Sequence, residues 1–192
     1  MSRQFWQEAL SWAVASGTAV ANTVTETILF PNVTIPANYL QDGRCLRLRA
    51  FGAYGTTGTP TLIFSLRWGG VSGTVLAKQD ANVTTSGVGG GASMTAMWEL
   101  EIILQVRSNG SAGTLMSNGS SILYTNTLVT AGTVTNYGQP APIASGSTGG
   151  TTPVAVTADL TADTALSLTV TWGTANAANS IQGLNYTIEA LN

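Results

Sequence analysis

The sequence contains no histidine, and among its 192 residues it has one cysteine, Cys45, and one lysine, Lys78. Without histidine it cannot build a Ser-His-Asp or Cys-His nucleophilic site, and most zinc sites are excluded as well. A single cysteine also excludes an internal disulfide bond and a cysteine-based zinc site. We therefore expect neither an enzyme nor a protein that holds a cofactor or metal.

Charge is equally scarce, with seven Lys and Arg side chains against nine Asp and Glu, a formal net charge of −2. This balance is too small and too acidic for a polyanion-binding surface, so no nucleic-acid partner is expected. No apolar run is long enough to predict a membrane span. The basic start and the Ala-x-Ala at 19–21 are typical of a signal peptide. Gln4, Gln7 and Glu8 interrupt its apolar core, so we predict no cleaved signal.

Threonine and glycine are abundant, with 29 and 22 occurrences. β-Branched side chains favour pleated surfaces, whereas Gly, Asn and Ser supply turns. The composition therefore predicts an all-β protein, and the length predicts one main domain.

Period-two alternation dominates from about Val24 to the end and predicts eight to ten strands. In the stretch Arg44–Gly70, Leu46, Leu48 and Ala50 alternate with Arg47 and Arg49 before a Gly/Thr/Pro turn. Similar patterns occur at Leu62–Trp68, Leu100–Val106, Leu166–Trp172 and Leu184–Ala190, with weaker ones at Val24–Phe30, Val33–Ile35, Val75–Ala77, Leu128–Val134 and Val154–Leu160. Gly-rich stretches at 87–93 and 145–152 are the predicted long connections. The pattern predicts a two-sheet antiparallel, jelly-roll-like sandwich over residues 24–192.

Residues 1–23 form a predicted amino-terminal arm, because they lack clean alternation and concentrate aromatic surface. The spacing of Phe5 with Ala9 and of Trp6 with Leu10 permits a short helix. Four apolar side chains of the arm are candidate protein contacts: Phe5, Trp6, Leu10 and Trp12. Packing on the chain's own sandwich and packing onto a partner both remain open, since aromatic anchors are also enriched in interface cores.

Charged side chains alternate with the hydrophobic ones and are expected on the outward face: Arg47, Arg49, Arg67, Arg107, Glu99 and Glu101. Cross-strand ion pairs would account for them without a ligand. A second interpretation makes Arg47, Arg49 and Arg67 contacts to a partner or a sister subunit. A third makes them a glycan or anion site.

Two carboxylates set two apart on one strand, Glu99 and Glu101, would lie about 7 Å from each other. That separation suits an inverting glycosidase, yet such acids face each other across a cleft, so a polar strand face is the simpler interpretation. Asp159 and Asp163 supply too few oxygens for calcium. Cys45 is expected to be a structural thiol, because no candidate base accompanies it.

Two segments resemble a group of small structural proteins of tailed bacteriophages. The first covers about Thr25 to Ala77 and carries a TxTxxxP…IPAN pattern followed by the hairpin LRAFGAYGTTGTPTLIFSLRWGG. The second, from Ala165 onward, closes on TVTWGTANAANSI. These motifs are turn and core signatures and contain no catalytic residue.

The resemblance implies a jelly-roll virion protein, foremost a capsid decoration or cement protein that binds the major capsid protein as a homotrimer. It would be made in the cytoplasm of a bacterial host and act at the capsid surface. A neck, tail or fibre component is the alternative. A carbohydrate- or receptor-binding module is a further one, which would need exposed aromatics in a groove. Its candidates are Tyr54, Trp68, Trp98 and Tyr137, of which Trp68 shares the apolar face with Leu66.

Overall fold

The structure, a computed structural model, describes residues 7–57, 60–79, 94–124, 140–149 and 152–191. Within these ranges the chain is all-β, with thirteen strands and no helix, which confirms the predicted fold class. The strands are β1 (Gln7–Trp12), β2 (Val20–Ala21), β3 (Thr27–Ile28), β4 (Val33–Ile35), β5 (Cys45–Gly55), β6 (Leu62–Trp68), β7 (Thr74–Gln79), β8 (Ala96–Ser108), β9 (Gly113–Leu123), β10 (Pro140–Ser145), β11 (Val156–Ala158), β12 (Thr164–Trp172) and β13 (Ser180–Leu191).

One antiparallel sheet contains all thirteen strands and curls on itself. Its hydrogen-bonded order is β1-β13-β5-β8-β9-β10-β7-β6-β12-β3, with β11 beside β9, β2 beside β13 and β4 beside β12. The curl brings the two halves of the sheet face to face as a jelly-roll-like sandwich. Rings from opposite halves are then in tilted contact, Phe64 with Trp98 at a centroid distance of 5.0 Å and Phe30 with Tyr186 at 4.7 Å.

The alternating sequence determines which face of each strand is buried. In β8, Trp98, Leu100 and Ile102 are buried, whereas Glu99 and Glu101 between them are partly exposed. A strand with one apolar face must turn that face to the core, because successive side chains point to opposite sides. Position 52 of β5 requires glycine, since a Cβ there would lie 1.9 Å from the Gln182 carbonyl oxygen and 2.7 Å from the Trp98 indole nitrogen.

The amino-terminal arm is the main difference from the sequence prediction. Residues 7–12 form strand β1 instead of a helical turn, and β1 pairs antiparallel with β13 from Gln7↔Leu191 to Trp12↔Thr187. A register shift between Ala9 and Ser11 interrupts the alternation that would have indicated a strand. Leu10 packs against the core, so this part of the arm belongs to the chain's own sheet.

Strand β10 is another element that the sequence did not predict. It contains Pro140 and Pro142, which lack the N–H that a central strand needs. The structure accommodates them because residues 140–142 pair with β9, whereas the second neighbour, β7, pairs with residues 143–145. The weak strand predicted at Leu128–Val134 lies outside the described residues, as does the Gly-rich stretch at 87–93.

Candidate interaction surface

Three arginines that were predicted to face outward form ion pairs within the chain. Arg47 pairs with Glu189 across β5 and β13, with Nη2 and Oε2 2.6 Å apart. Arg49 pairs with Glu101, its direct neighbour on β8. Cross-strand pairing, the simplest interpretation of these side chains, is confirmed for both. The Arg49–Glu101 pair is the more exposed one, with 57% and 41% of the two side chains accessible.

Arg67 lies on the other half of the sheet and has a structural role. Its guanidinium binds both oxygens of Glu26, through Nε at 2.6 Å and Nη2 at 2.5 Å, and donates to the Gly73 carbonyl at 2.7 Å. The Thr169 hydroxyl donates to the same carboxylate. Burial on its own would raise the pKa of Glu26, but the hydrogen bonds from Arg67 and Thr169 and the Arg67 charge outweigh it, so the pKa is lowered. This cluster fastens the segment before β3 to the sheet.

Trp12, Arg47 and Arg49 lie on one surface, the solvent side of β1, β13, β5, β8, β9 and β10, which we call the six-strand face. Cross-strand partners point to the same side of a sheet, so the register defines rows across it. One row is Trp12–Thr187–Arg49–Glu101–Ser120–Pro142, and the next is Asn185–Phe51–Glu99–Ile122–Pro140. Trp12 and Phe51 are 58% and 44% exposed, which is high for large apolar side chains.

Two adjoining depressions, each of about 460 Å³, lie on the six-strand face. Arg49, Phe51 and Glu99 line the first together with residues of β9 and β13. Ile103, Asn118 and Pro142 line the second. Glu101 and Ser120 line both, so the depressions form one trough that crosses the strands from β13 to β10.

The structure therefore separates the predicted contact residues. It brings Trp12, Arg47 and Arg49 together on the six-strand face and places Arg67 on the other half of the sheet. Leu10 packs inward. Phe5 and Trp6 lie outside the described residues, and their role as contacts stays a prediction.

The prediction that Tyr54, Trp68 and Trp98 line an exposed glycan groove is wrong. Tyr54 and Trp98 are fully buried and Trp68 is 6% exposed. Their polar atoms bind backbone carbonyls inside the fold, for example the Trp68 indole N–H to Asp159 and the Tyr54 hydroxyl to Tyr124. Tyr137 lies outside the described residues. Phe51 was missed, although its position in step with Arg47 and Arg49 already indicated an outward side chain.

The carboxylates considered for catalysis or metal binding have local partners. The Tyr124 hydroxyl donates to Glu99 at 2.7 Å, which raises the pKa of the tyrosine. Asp159 accepts from the Thr161 N–H and hydroxyl, which lower its pKa, and Asp163 accepts from the Ala37 N–H.

Burial raises the pKa of the Cys45 thiol. Within the described ranges no three His, Cys, Asp or Glu side chains are grouped to hold a metal ion.

Among the residues that the structure describes, no helix has the length and apolar composition needed to cross a bilayer. Comparisons of the chain with known protein families and with curated proteins find no match.

Proposed function

We propose that the protein is a structural component of a tailed-bacteriophage particle, and specifically a capsid decoration protein that binds the assembled shell and stabilises it. In this proposal its partner is the major capsid protein, it acts as a homotrimer at the virion surface, and it is made in the bacterial cytoplasm. The proposal assigns it no catalytic reaction. It rests on the resemblance of two sequence segments to phage structural proteins.

The observation that supports the proposal most strongly is that these two segments form one structural unit. The first segment contains β5 and β6, the second contains β12 and β13, and they pair as β5 with β13 and β6 with β12. The turn at the end of β5 and the turn before β13 also touch. The buried Asn179 side chain accepts from the Thr57 N–H at 2.9 Å and donates to the Thr174 carbonyl at 3.0 Å. Motifs separated by about ninety residues thus describe one folded unit, as expected when a resemblance reflects a shared fold.

A decoration protein stabilises a shell by mass action. Because it binds the assembled lattice and not free subunits, its binding free energy is added to that of the shell. A sandwich in which Arg47, Arg49 and Arg67 are already ion-paired within the chain suits this role, since these side chains need little further ordering on binding. A threefold lattice site would match a homotrimer.

The test is a heat challenge of particles that differ in this protein alone. Phage made with the gene deleted should release DNA at a lower temperature than wild-type phage, and addition of purified protein should restore the wild-type value. Particles that assemble without the protein and release DNA at an unchanged temperature would contradict a stabilising role. Particles that fail to acquire tails would instead support the neck or tail alternative.

A further inference from the structure

We propose that the trough on the six-strand face is a binding site for a neutral oligosaccharide. This proposal is independent of the structural role above, because it concerns what the exposed face of the protein recognises and not how the protein is held on a particle. It replaces the predicted set of aromatic candidates, three of which are buried, with side chains that the structure exposes.

The first argument is the position of the two exposed aromatic rings. Phe51 lines the trough on β5, and Trp12 stands beyond the β13 end of the trough, on β1 in the adjacent row. Two strand spacings and two residues along a strand separate them, which amounts to about 12 Å. This is roughly the length of two sugar units, so the rings can contact units that lie two apart in one chain. A pyranose offers an apolar C–H face that packs on an aromatic ring, as other apolar groups do.

The second argument is the mixture of polar groups between and beyond the rings. Glu99 and Glu101 offer carboxylate acceptors, Asn118 and Asn185 offer amides, and Ser120 offers a hydroxyl. The hydrogen bond from Tyr124 engages one oxygen of Glu99, and a carboxylate can accept several hydrogen bonds. Sugar hydroxyl groups, which both donate and accept, match this set.

The charge balance decides between neutral and acidic ligands. Arg47 and Arg49, the cations of this part of the face, are bound to Glu189 and Glu101. Glu99 adds a negative charge to this face, because it accepts a hydrogen bond from the uncharged Tyr124 hydroxyl. An acidic sugar would meet this negative charge and would have to break an ion pair to gain an arginine. A neutral chain avoids both costs.

The shape of the site agrees with a chain ligand. The two depressions share Glu101 and Ser120 and run across four strands, β13, β5, β8 and β9, to Pro142 on β10. Four spacings between β13 and β10 correspond to about 19 Å. The site is therefore open and elongated, as needed for an internal stretch of a polysaccharide, and differs from a closed pocket for a single sugar.

The experiment is titration calorimetry of the full-length protein with three neutral probes, maltotetraose, cellotetraose and the tetramer of N-acetylglucosamine, and one acidic probe, tetragalacturonate. We expect one or more neutral probes to bind and the acidic probe not to bind. Phe51→Ala and Trp12→Ala should each weaken binding about tenfold. Glu99→Gln should weaken it less, because the amide keeps one acceptor.

Val24→Ala is the matched control, since Val24 is 53% exposed, lies outside the trough and should leave binding unchanged. Thermal unfolding of each variant checks that the fold is intact. The proposal is overturned if no neutral probe binds at millimolar concentration, if the acidic probe alone binds, or if Phe51→Ala and Trp12→Ala bind as wild type does.

Discussion

At the scale of single residues, the alternation of apolar and polar residues indicates which face of the sheet a side chain points to, but it does not indicate which residue that side chain contacts. Counting from Leu46 in steps of two along β5 puts Tyr54 inside and Phe51 outside, where the structure has them, although Tyr54 was a candidate for an exposed groove and Phe51 was missed. Glu26 is different, because its partner Arg67 is 41 residues away and Glu26 lies in a short, weakly patterned segment. A contact of this kind depends on how the sheet curls, which residue spacing does not reveal.

The Glu26 cluster leads to a prediction about pH. Its pKa is below the ordinary value of 4.5 in the folded protein, so the cluster contributes stability above that value and loses it as pH falls through the lowered pKa. Glu26→Gln should therefore lower the free energy of unfolding by about 2 kcal/mol at neutral pH. The variant should also lose less stability than wild type on acidification from about pH 5 to pH 3. Urea denaturation at several pH values measures both effects.

Glu101→Gln is the control for this prediction, because it breaks the exposed pair with Arg49 and leaves the Glu26 cluster intact. An exposed pair contributes about 0–1 kcal/mol, so this variant should be close to wild type. Equal effects of the two substitutions at every pH would contradict the role given to Glu26.

At the scale of elements, the long strands were predictable, whereas β1 at one end of the sheet and β10 between β9 and β7 were not. β5, β6, β8, β12 and β13 each carry at least three alternating apolar residues on one face. β1 contains a register shift and β10 contains two prolines, features that conceal a strand and occur at sheet edges or bulges. The arm was therefore predicted as a separate segment, although its residues 7–12 complete one end of the sheet.

The pairing of β1 gives a prediction about truncation. Deleting residues 1–12 removes the strand, the packing of Leu10 and the hydrogen bond between the Ser11 and Tyr186 hydroxyls, which are 2.9 Å apart. We expect a loss of about 2–4 kcal/mol in the free energy of unfolding. A shorter deletion of residues 1–6 removes Phe5 and Trp6 but retains β1, and it should be the more stable of the two by calorimetry. If both truncated proteins unfold at the same temperature, β1 contributes nothing to the fold.

At the scale of the whole molecule, the chain between residues 7 and 35 closes the sandwich. It pairs first with β13, through β1 and β2, and then with β12, through β3 and β4. The two ends of the sheet are thereby joined by continuous chain, and neither end relies on a separate subunit for these contacts. The fold class followed from composition and alternation. The six-strand face did not, because the trough depends on the register of neighbouring strands, which alternation along one strand leaves undetermined.

Quantitative mass spectrometry of purified virions, which gives the ratio of this protein to the major capsid protein, tests the proposed role in decorating the capsid. A decoration protein occupies equivalent sites over the whole shell, so we expect a ratio near a simple fraction of the number of capsid subunits. Absence from purified virions, or a handful of copies per particle, would contradict a role in decorating the capsid.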